Sequence, residues 1–323
     1  MIKEQLASLD SVTLNLGSGT GLIMSLVLAL IMFGIALGIK MDTLKNVFVK
    51  PKSIITGICL QWIGLPLVTF IIILAFNSFL TPMVCLGMLL VASCPGGNIS
   101  NFMSSLSKSN VELSVSMTAV STIAAPVVTP LNFWLWGNAY LKFAALSGTL
   151  TIPQLVIPFW DIFQTVFIIL GVPIILGMLF AKYLPKATEK IKGPFSTFSI
   201  VVFIIMVLGM FIPNWELFIN YIFYIFILVL IHNAAAFATG FYGAGLLKLP
   251  KVDRRTISIE VGIQNSGLGL TLLLNPAIFD PEIWNNPVTG IMYGGMLFVT
   301  CWWGIWHIIS GLSLAYIFKN RPI

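Results

Sequence analysis

An apolar run that is long enough to cross a membrane, residues 82–107, is interrupted in its middle by the stretch 94–101, CPGGNISN. Proline removes a backbone donor and glycine weakens a helix, so a continuous helix through this stretch is unfavourable. At membrane depth, unpaired backbone groups are tolerated only where protein or a water-filled cavity satisfies them. A second apolar run is interrupted in the same way at 260–267, EVGIQNSG. Two interrupted spans in the two halves of a chain predict the binding site of a secondary transporter.

Composition assigns both interruptions to a membrane protein. Of 323 residues, 58% are hydrophobic and 9% are charged, whereas soluble domains are about a quarter charged. Apolar runs of roughly 20 residues, the length of a membrane-spanning helix, cover 20–40, 52–76, 82–107, 110–138, 160–183, 195–213, 216–245, 254–276 and 286–318. We therefore predict an all-α integral membrane protein with nine transmembrane helices, of which the third and the eighth are discontinuous.

The basic residues orient the predicted spans. With nine spans, fifteen of the 17 lysine and arginine residues fall on one side of the membrane, and Lys3 and Lys142 fall on the other. Because lysine and arginine concentrate on the cytoplasmic side, we expect residues 1–19 outside and the tail 319–323 in the cytoplasm, in a plasma or inner membrane. This distribution accounts for the net charge of +6, so no nucleic-acid partner is expected.

The order of the spans indicates an inverted repeat. Each half consists of two spans, an interrupted span and one long span, and the second half has an additional span in front, at 160–183. Because the interrupted spans are the third and the eighth, they cross the membrane in opposite directions. Inverted-topology repeats that meet at discontinuous helices are typical of secondary transporters.

Glu260 is the most informative residue, because of eleven acidic residues it alone lies well inside an apolar span. A charged group at that depth is costly and is a functional candidate by default. The alternative is an interfacial position, since Arg254 and Arg255 are close in sequence. Oxygen ligands suit hard cations such as Na⁺, although each polar group could instead form an interhelical hydrogen bond. Such oxygens are carried by Gln61, Asn98, Ser100, Asn101, Ser114, Thr118, Gln264, Asn265 and Ser266.

The interruptions also create helix ends inside the membrane. Unwound carbonyl groups attract cations, and free N–H groups at a helix N-terminus attract anions, so we infer that a cation and an anionic solute bind together. His232 and His307 lie within spans. Each is either a neutral packing histidine or a substrate contact or proton relay.

Three motifs and one shorter segment resemble the sodium–bile acid symporter family. They are Cys94-Pro95-Gly96-Gly97 with Ser100-Asn101, Leu113-Ser114-Val115-Ser116-Met117-Thr118, Ile259-Glu260-Val261-Gly262-Ile263-Gln264-Asn265-Ser266-Gly267, and Gln61 with Leu65-Pro66. The resemblance covers nearly the whole chain in order and spacing. It implies that the two discontinuous helices cross in a core domain, residues 46–138 and 214–318, beside a panel domain, residues 20–45 and 139–213. It also implies alternating access by relative motion of these domains.

The resemblance further implies roles for individual residues. One sodium ion would be bound by Ser100, Asn101, Ser114, Thr118 and Glu260. A second would be bound by Gln61, Gln264, the side chain of Glu260, and the carbonyls of Val261 and Ile263. Substrate would bind between the domains, at Asn98, Asn265, Gly97, Ser266 and His307. Two positions depart from the family pattern: Asn98 stands where threonine is usual in bile-acid members, and Ile263 stands for methionine. A third position, Ile308, departs from the pattern of a bacterial relative, which has asparagine there.

The leading hypothesis is a sodium-coupled symporter that imports an organic anion with two sodium ions. The anion would be a bile-acid-like conjugate or a smaller carboxylate such as pantoate or a keto acid. A proton-coupled or uncoupled carrier of the same fold is the alternative. An intramembrane enzyme is least favoured, because the sequence contains no His-Glu-x-x-His, no Gly-x-Ser-x-Gly and no acidic pair within spans. We expect contact with membrane lipid and a monomer or weak dimer.

Overall fold

The computed structural model describes residues 2–10, 20–39, 51–147, 157, 159–212, 215–275, 278–279 and 293–322. Several predicted regions lie partly outside the described residues. They are the outer N-terminal segment at 11–19, a junction between the predicted domains at 40–50, and the connections at 148–156 and 280–292. The helices, numbered in chain order, are α1 (Ile2–Asp10), α2 (Thr20–Leu37), α3 (Pro51–Ala75), α4 (Pro82–Ser93), α5 (Ile99–Leu106), α6 (Val111–Leu146), α7 (Phe159–Tyr183), α8 (Pro185–Phe211), α9 (Trp215–Leu246), α10 (Lys251–Gly262), α11 (Ser266–Leu273) and α12 (Gly294–Lys319).

The described part of the chain is helical, as the composition predicts for a membrane protein. Five of its helices contain segments that are long and apolar enough to cross a membrane: Pro51–Ala75, Val111–Leu146, Phe159–Tyr183, Ile219–Leu246 and Gly294–Lys319. Shorter apolar segments lie in α2 and α4. The fourth predicted span, 110–138, is longer than expected, because α6 continues through two prolines to Leu146. The number of nine spans stays a prediction.

The two interruptions indicated by proline and glycine are present, and they lie against each other. Residues 94–98 separate α4 from α5, and residues 263–265 separate α10 from α11. The Gly97 N–H donates to the Ile263 carbonyl at 2.9 Å, and the Asn265 N–H donates to the Pro95 carbonyl at 2.8 Å. These two non-helical stretches, 94–98 and 263–265, are called the links, and they run antiparallel to each other. Each break therefore satisfies backbone groups of the other, as backbone at membrane depth requires.

Close helix packing surrounds this crossing. α10 packs against α9 and α6, and α12 packs against α4. A Cβ atom at Gly240 of α9 would lie only 2.6 Å from the Ile257 carbonyl oxygen of α10, so a larger residue would separate these helices. α2 packs against α7 and α8, and less extensively against α11. The division into a core and a panel domain stays a prediction.

The short helix α1 docks on the ends of α4, α9 and α12. Its Leu6 and Leu9 are buried, and Asp10 approaches the first turn of α4. There the Thr81 hydroxyl and the Met83 N–H lie near the Asp10 carboxyl group and favour its charged form. Burial nevertheless raises the pKa of Asp10 to about 7, and these two polar groups only partly oppose this. The folded protein thus prefers the protonated form of Asp10 below about pH 7.

We expect the Asp10→Asn variant to lose part of the pH dependence of stability. Because the folded-state pKa is raised above the unfolded value of about 4, the unfolded protein binds fewer protons between these values. The free energy of unfolding then falls by up to ~1.4 kcal/mol per pH unit as the pH rises from about 4 to about 7. Thermal unfolding midpoints at pH 5 and pH 8 measure this fall. An equal fall in the variant would contradict the assignment to Asp10.

Candidate functional site

The Glu260 carboxylate is the centre of a buried group of polar side chains. It lies near the C-terminal end of α10 and is fully buried. The Ser100 hydroxyl of α5 donates to its Oε1 at 2.6 Å, the Ser114 hydroxyl of α6 also donates to Oε1, and the Thr118 hydroxyl of α6 donates to Oε2 at 3.1 Å. Two separate helices therefore direct three hydroxyl groups at one carboxylate.

The group contains more hydrogen-bond acceptors than donor hydrogens. The Asn101 Oδ1 atom lies 2.9 Å from the Ser114 hydroxyl and 3.3 Å from the Thr118 hydroxyl, so it competes with Glu260 for the same hydrogens. Among the described residues, no basic side chain forms an ion pair with Glu260. A buried, unneutralised carboxylate surrounded by neutral oxygens suits a hard monovalent cation. All five residues predicted for the first ion are thus brought together.

A second group of candidate ligands lies at the end of α10. The last carbonyls of a helix lack helical partners. At the end of α10, the Glu260, Val261 and Ile263 carbonyls instead accept hydrogen bonds from α3 or from one of the two links. The Glu260 carbonyl accepts from Gln61 Nε2 at 3.3 Å, and the Val261 carbonyl accepts from Gln264 Nε2 at 2.8 Å. The Ile263 carbonyl accepts from the Gly97 N–H. The residues predicted for the second ion therefore adjoin one another.

The Oε1 atoms of Gln61 and Gln264 are buried and have no hydrogen-bond partner among the described residues. An unsatisfied buried acceptor costs about 1–3 kcal/mol, so these two atoms are candidates for cation ligands. Gly96 lies beside Gln61 and the Glu260 carboxylate. A Cβ atom there would be 2.7 Å from Gln61 Nε2 and 3.2 Å from Glu260 Oε2. Both ligand groups consequently border the same small space. The described residues contain no cluster of three or more His, Cys, Asp or Glu that could hold a metal ion, so one carboxylate with neutral oxygens is the available chemistry.

Gln61 reaches this space from an irregular turn of α3. Residues 60–64 form a π-helical turn just before Pro66. Because Pro66 has no N–H, the Trp62 carbonyl lacks its usual helical partner, and the Asn132 side chain of α6 donates to it at 2.9 Å. Single π-turns inside α-helices are frequent at functional sites. The missing N–H of Pro66 thus accounts for the irregular part of α3 that carries Gln61.

The predicted substrate residues differ in exposure. Asn98 is exposed, and Gly97 and Asn265 are half-buried. The Asn265 side chain caps α11 by accepting from the Leu268 N–H at 3.1 Å. Ser266 and His307 are buried. Asn98, Gly97 and Asn265 are therefore the accessible members, and the substrate role of all five residues stays a prediction.

Both intramembrane histidines are buried and hydrogen-bonded. The Thr69 hydroxyl donates to the Leu65 carbonyl, so at 2.7 Å it accepts from His232 Nε2. The His232 ring packs on Trp303 with 4.7 Å between ring centroids. His307 Nδ1 donates to the Trp303 carbonyl at 2.6 Å. These contacts favour the packing role for His232. For His307 the contacts are compatible both with a packing role and with a substrate contact or proton relay.

Two polar residues that the sequence did not single out belong to the surroundings of the site. Asp253 of α10 is buried and accepts from Ser53 at 2.6 Å and from Asn110 at 2.7 Å. It precedes Glu260 by seven residues, or two helical turns, so both face α6. That spacing was the available signal. Asn233 donates to the Gly262 carbonyl at 2.7 Å, and no local pattern distinguishes it from other intramembrane amides.

Known proteins of similar sequence are sodium-dependent transporters. Residues 25–221 match the Sodium Bile acid symporter family. The chain is 33% identical to the uncharacterized sodium-dependent transporter YocS of Bacillus subtilis (strain 168), over 91% of this chain and 82% of that protein. It is 28% identical to the probable sodium/metabolite cotransporter BASS1, chloroplastic, of Oryza sativa subsp. japonica, over 90% of this chain but 64% of that protein. It is also 28% identical to the ileal sodium/bile acid cotransporter of Cricetulus griseus, over 80% of this chain and 70% of that protein.

Proposed function

Because the chain belongs to the sodium bile acid symporter family, we propose that it is a sodium-coupled symporter that imports an organic anion. The family and the relatives above are sodium-coupled transporters, not enzymes. The observation that carries the proposal is the buried Glu260 carboxylate, which faces hydroxyl and amide oxygens from α5 and α6 and no described basic side chain. Such a site suits the cation that these transporters use.

The proposal includes two sodium ions that share Glu260. The first would be bound by Ser100, Asn101, Ser114, Thr118 and Glu260, whose oxygens converge. The second would be bound by Gln61, Gln264, Glu260 and the carbonyls of Val261 and Ile263. The unpartnered Oε1 atoms of Gln61 and Gln264 support this second site. Each would gain a ligand bond on rotation of its amide toward the ion.

The proposed transport cycle is alternating access between a core and a panel domain. Nine spans with an external N-terminus and an inverted repeat would make α4–α5 and α10–α11 cross near the membrane midplane. The antiparallel contact of the two links supports this arrangement. Two sodium ions with one monovalent anion would carry one net positive charge inward, which a negative-inside potential favours by about 2.3 kcal/mol per 100 mV.

The proposed anion binds at the accessible residues Asn98, Gly97 and Asn265. One relative is named for bile acid and another for a metabolite, so both a bile-acid conjugate and a smaller carboxylate are substrates to test. Asn98 stands where bile-acid members of the family usually have threonine, and its amide offers two N–H donors and no methyl group, whereas threonine has one O–H donor and a methyl group. This difference favours the smaller, more polar carboxylate.

Uptake of labelled taurocholate and pantoate into proteoliposomes tests this function. We expect uptake of at least one anion to depend on an inward sodium gradient. The anion recovered from the vesicles should be chemically unchanged. Replacement of sodium by choline at constant pH distinguishes sodium coupling from proton coupling. Uptake that is equally fast in choline would refute sodium coupling and leave the proton-coupled or uncoupled carrier.

A further inference from the structure

Asn233 connects the end of α10 to two neighbouring helices. It lies on α9 with no exposed surface. Its Nδ2 donates to the Gly262 carbonyl at 2.7 Å, and its Oδ1 accepts from the Ser310 hydroxyl of α12 at 2.5 Å. The side-chain amide is thus hydrogen-bonded at both ends. One end is a backbone oxygen in the last turn of α10.

The Gly262 carbonyl lies between the two carbonyls that are proposed ligands of the second sodium ion. The Val261 and Ile263 carbonyls belong to the residues on either side of Gly262. The Gly262 carbonyl belongs to the peptide group 262–263, which is joined through the Cα atoms of Gly262 and Ile263 to the peptide groups that carry the other two carbonyls. Because each peptide group is planar and rigid, a rotation of this one changes the torsions at both Cα atoms and so the orientation of its neighbours. Glycine restricts its own backbone least of all residues. The conformation at this point must therefore be held by other residues.

The surroundings of Asn233 offer few polar groups that could replace its hydrogen bond. Asn233 and Ser310 line a cavity of about 290 Å³ whose other walls are mostly apolar, including Leu230, Phe237 and Leu314. A water molecule that replaced the amide would need two to four polar partners. Phe237 also packs directly on Gly262, so the glycine is pressed against α9 where Asn233 holds its carbonyl.

We propose that Asn233 is a positioning residue for the second sodium site, because it fixes the Gly262 peptide group and with it the Val261 and Ile263 carbonyls. The proposal rests on the proposed sodium-coupled function and adds to it a residue that touches neither ion nor substrate. Ser310 holds the amide of Asn233 in the required orientation. The pair links sodium affinity to the packing of α9 and α12.

The test compares three variants by their response to sodium. Asn233→Leu keeps the volume of the side chain but removes its donor and acceptor. Ser310→Ala removes the hydroxyl that supports Asn233, whose other contact is a longer one, 3.3 Å, to the His307 carbonyl of its own helix. Ser313→Ala is the matched control, since Ser313 lines the same cavity but donates to the Ile309 carbonyl of its own helix. Two measurements are made: the sodium concentration that half-maximally raises the thermal unfolding midpoint, and uptake kinetics in proteoliposomes.

We expect Asn233→Leu to raise the sodium concentration for half-maximal effect about fivefold to tenfold in both measurements. Ser310→Ala should raise it about twofold to threefold, and this milder variant tests the proposal if the leucine variant does not fold. At saturating sodium, the KM for the anion should stay within twofold of the wild type. Ser313→Ala should behave as the wild type.

A purely structural role would lower the unfolding midpoint at every sodium concentration and leave the half-maximal concentration unchanged. That result in Asn233→Leu or Ser310→Ala would overturn the positioning role. If the wild type itself shows no sodium response, the proposed sodium coupling fails, and the positioning role fails with it. A wild type that responds to sodium beside variants with the same half-maximal concentration would overturn the positioning role alone.

Discussion

Replacement of Glu260 by glutamine is expected to abolish sodium-dependent uptake, with a loss of at least about a hundredfold. The carboxylate supplies the formal negative charge for both proposed ions, and glutamine keeps its size but not its charge. Removal of one partner from a buried charge interaction typically costs about 3–5 kcal/mol, and each 1.4 kcal/mol is about tenfold in affinity. Both sodium sites should therefore be emptied at physiological sodium concentrations.

Protein stability separates this loss from misfolding. In sodium-free buffer, Glu260→Gln should unfold at the same temperature as the wild type or higher, because a buried unneutralised charge is itself unfavourable. The rise in unfolding temperature on addition of sodium should disappear in the variant. Glu216→Gln is the control, since Glu216 is an exposed carboxylate in the first turn of α9. Normal sodium-dependent uptake by Glu260→Gln would refute the shared-site mechanism.

The substitution Gly96→Ala is expected to reduce sodium-dependent uptake about tenfold or more. Its methyl group would lie 2.7 Å from Gln61 Nε2 and 3.2 Å from Glu260 Oε2, within the space that both ligand groups border. Overpacking of a close-packed site costs about 1–3 kcal/mol, and here the neighbouring atoms that must move are ion ligands. The loss should therefore appear first as a lower apparent affinity for sodium.

The matched comparison for Gly96→Ala is Gly209→Ala in α8, where a Cβ atom meets no other atom within 4 Å. This control adds the same methyl group to the backbone of the same protein and should leave uptake unchanged. Sodium titrations of uptake for the two variants and the wild type provide the measurement. Equal sodium affinity in Gly96→Ala and the wild type would show that the ions do not occupy the space beside Gly96.

The sequence predicted the two interruptions because their causes are local. The proline and the paired glycines at 94–97 disfavour a helix locally, so the end of α4 follows from these residues. The end of α10 is indicated more weakly, by Gly262 and by the polar residues that follow it at 264–266. The boundaries of long helices were less predictable. α6 continues past Pro126 and Pro130 to Leu146, because neighbouring helices can compensate for proline inside a membrane helix.

The candidate ligands were predictable in part for a similar reason. Glu260 stands out because a single carboxylate in an apolar span is costly by itself, and Ser114 and Thr118 share a helix face by their spacing. Asn233 was not predicted, since a buried amide in a span has many possible partners. Its role depends on the position of Gly262, which is 29 residues away in the chain.

The sequence by itself therefore determined which segments are apolar, where two of them break, and which oxygens are present at membrane depth. These properties depend on the identity of a residue and of its near neighbours. The tertiary structure decided which oxygens share a space, that each broken link satisfies the other, and that Asn233 holds the end of α10. Those outcomes depend on contacts between distant segments, such as Ser100 with Glu260 and Gly97 with Ile263. Such contacts form only when the helices pack, because helix-to-helix distances and orientations are set by the whole assembly of side chains.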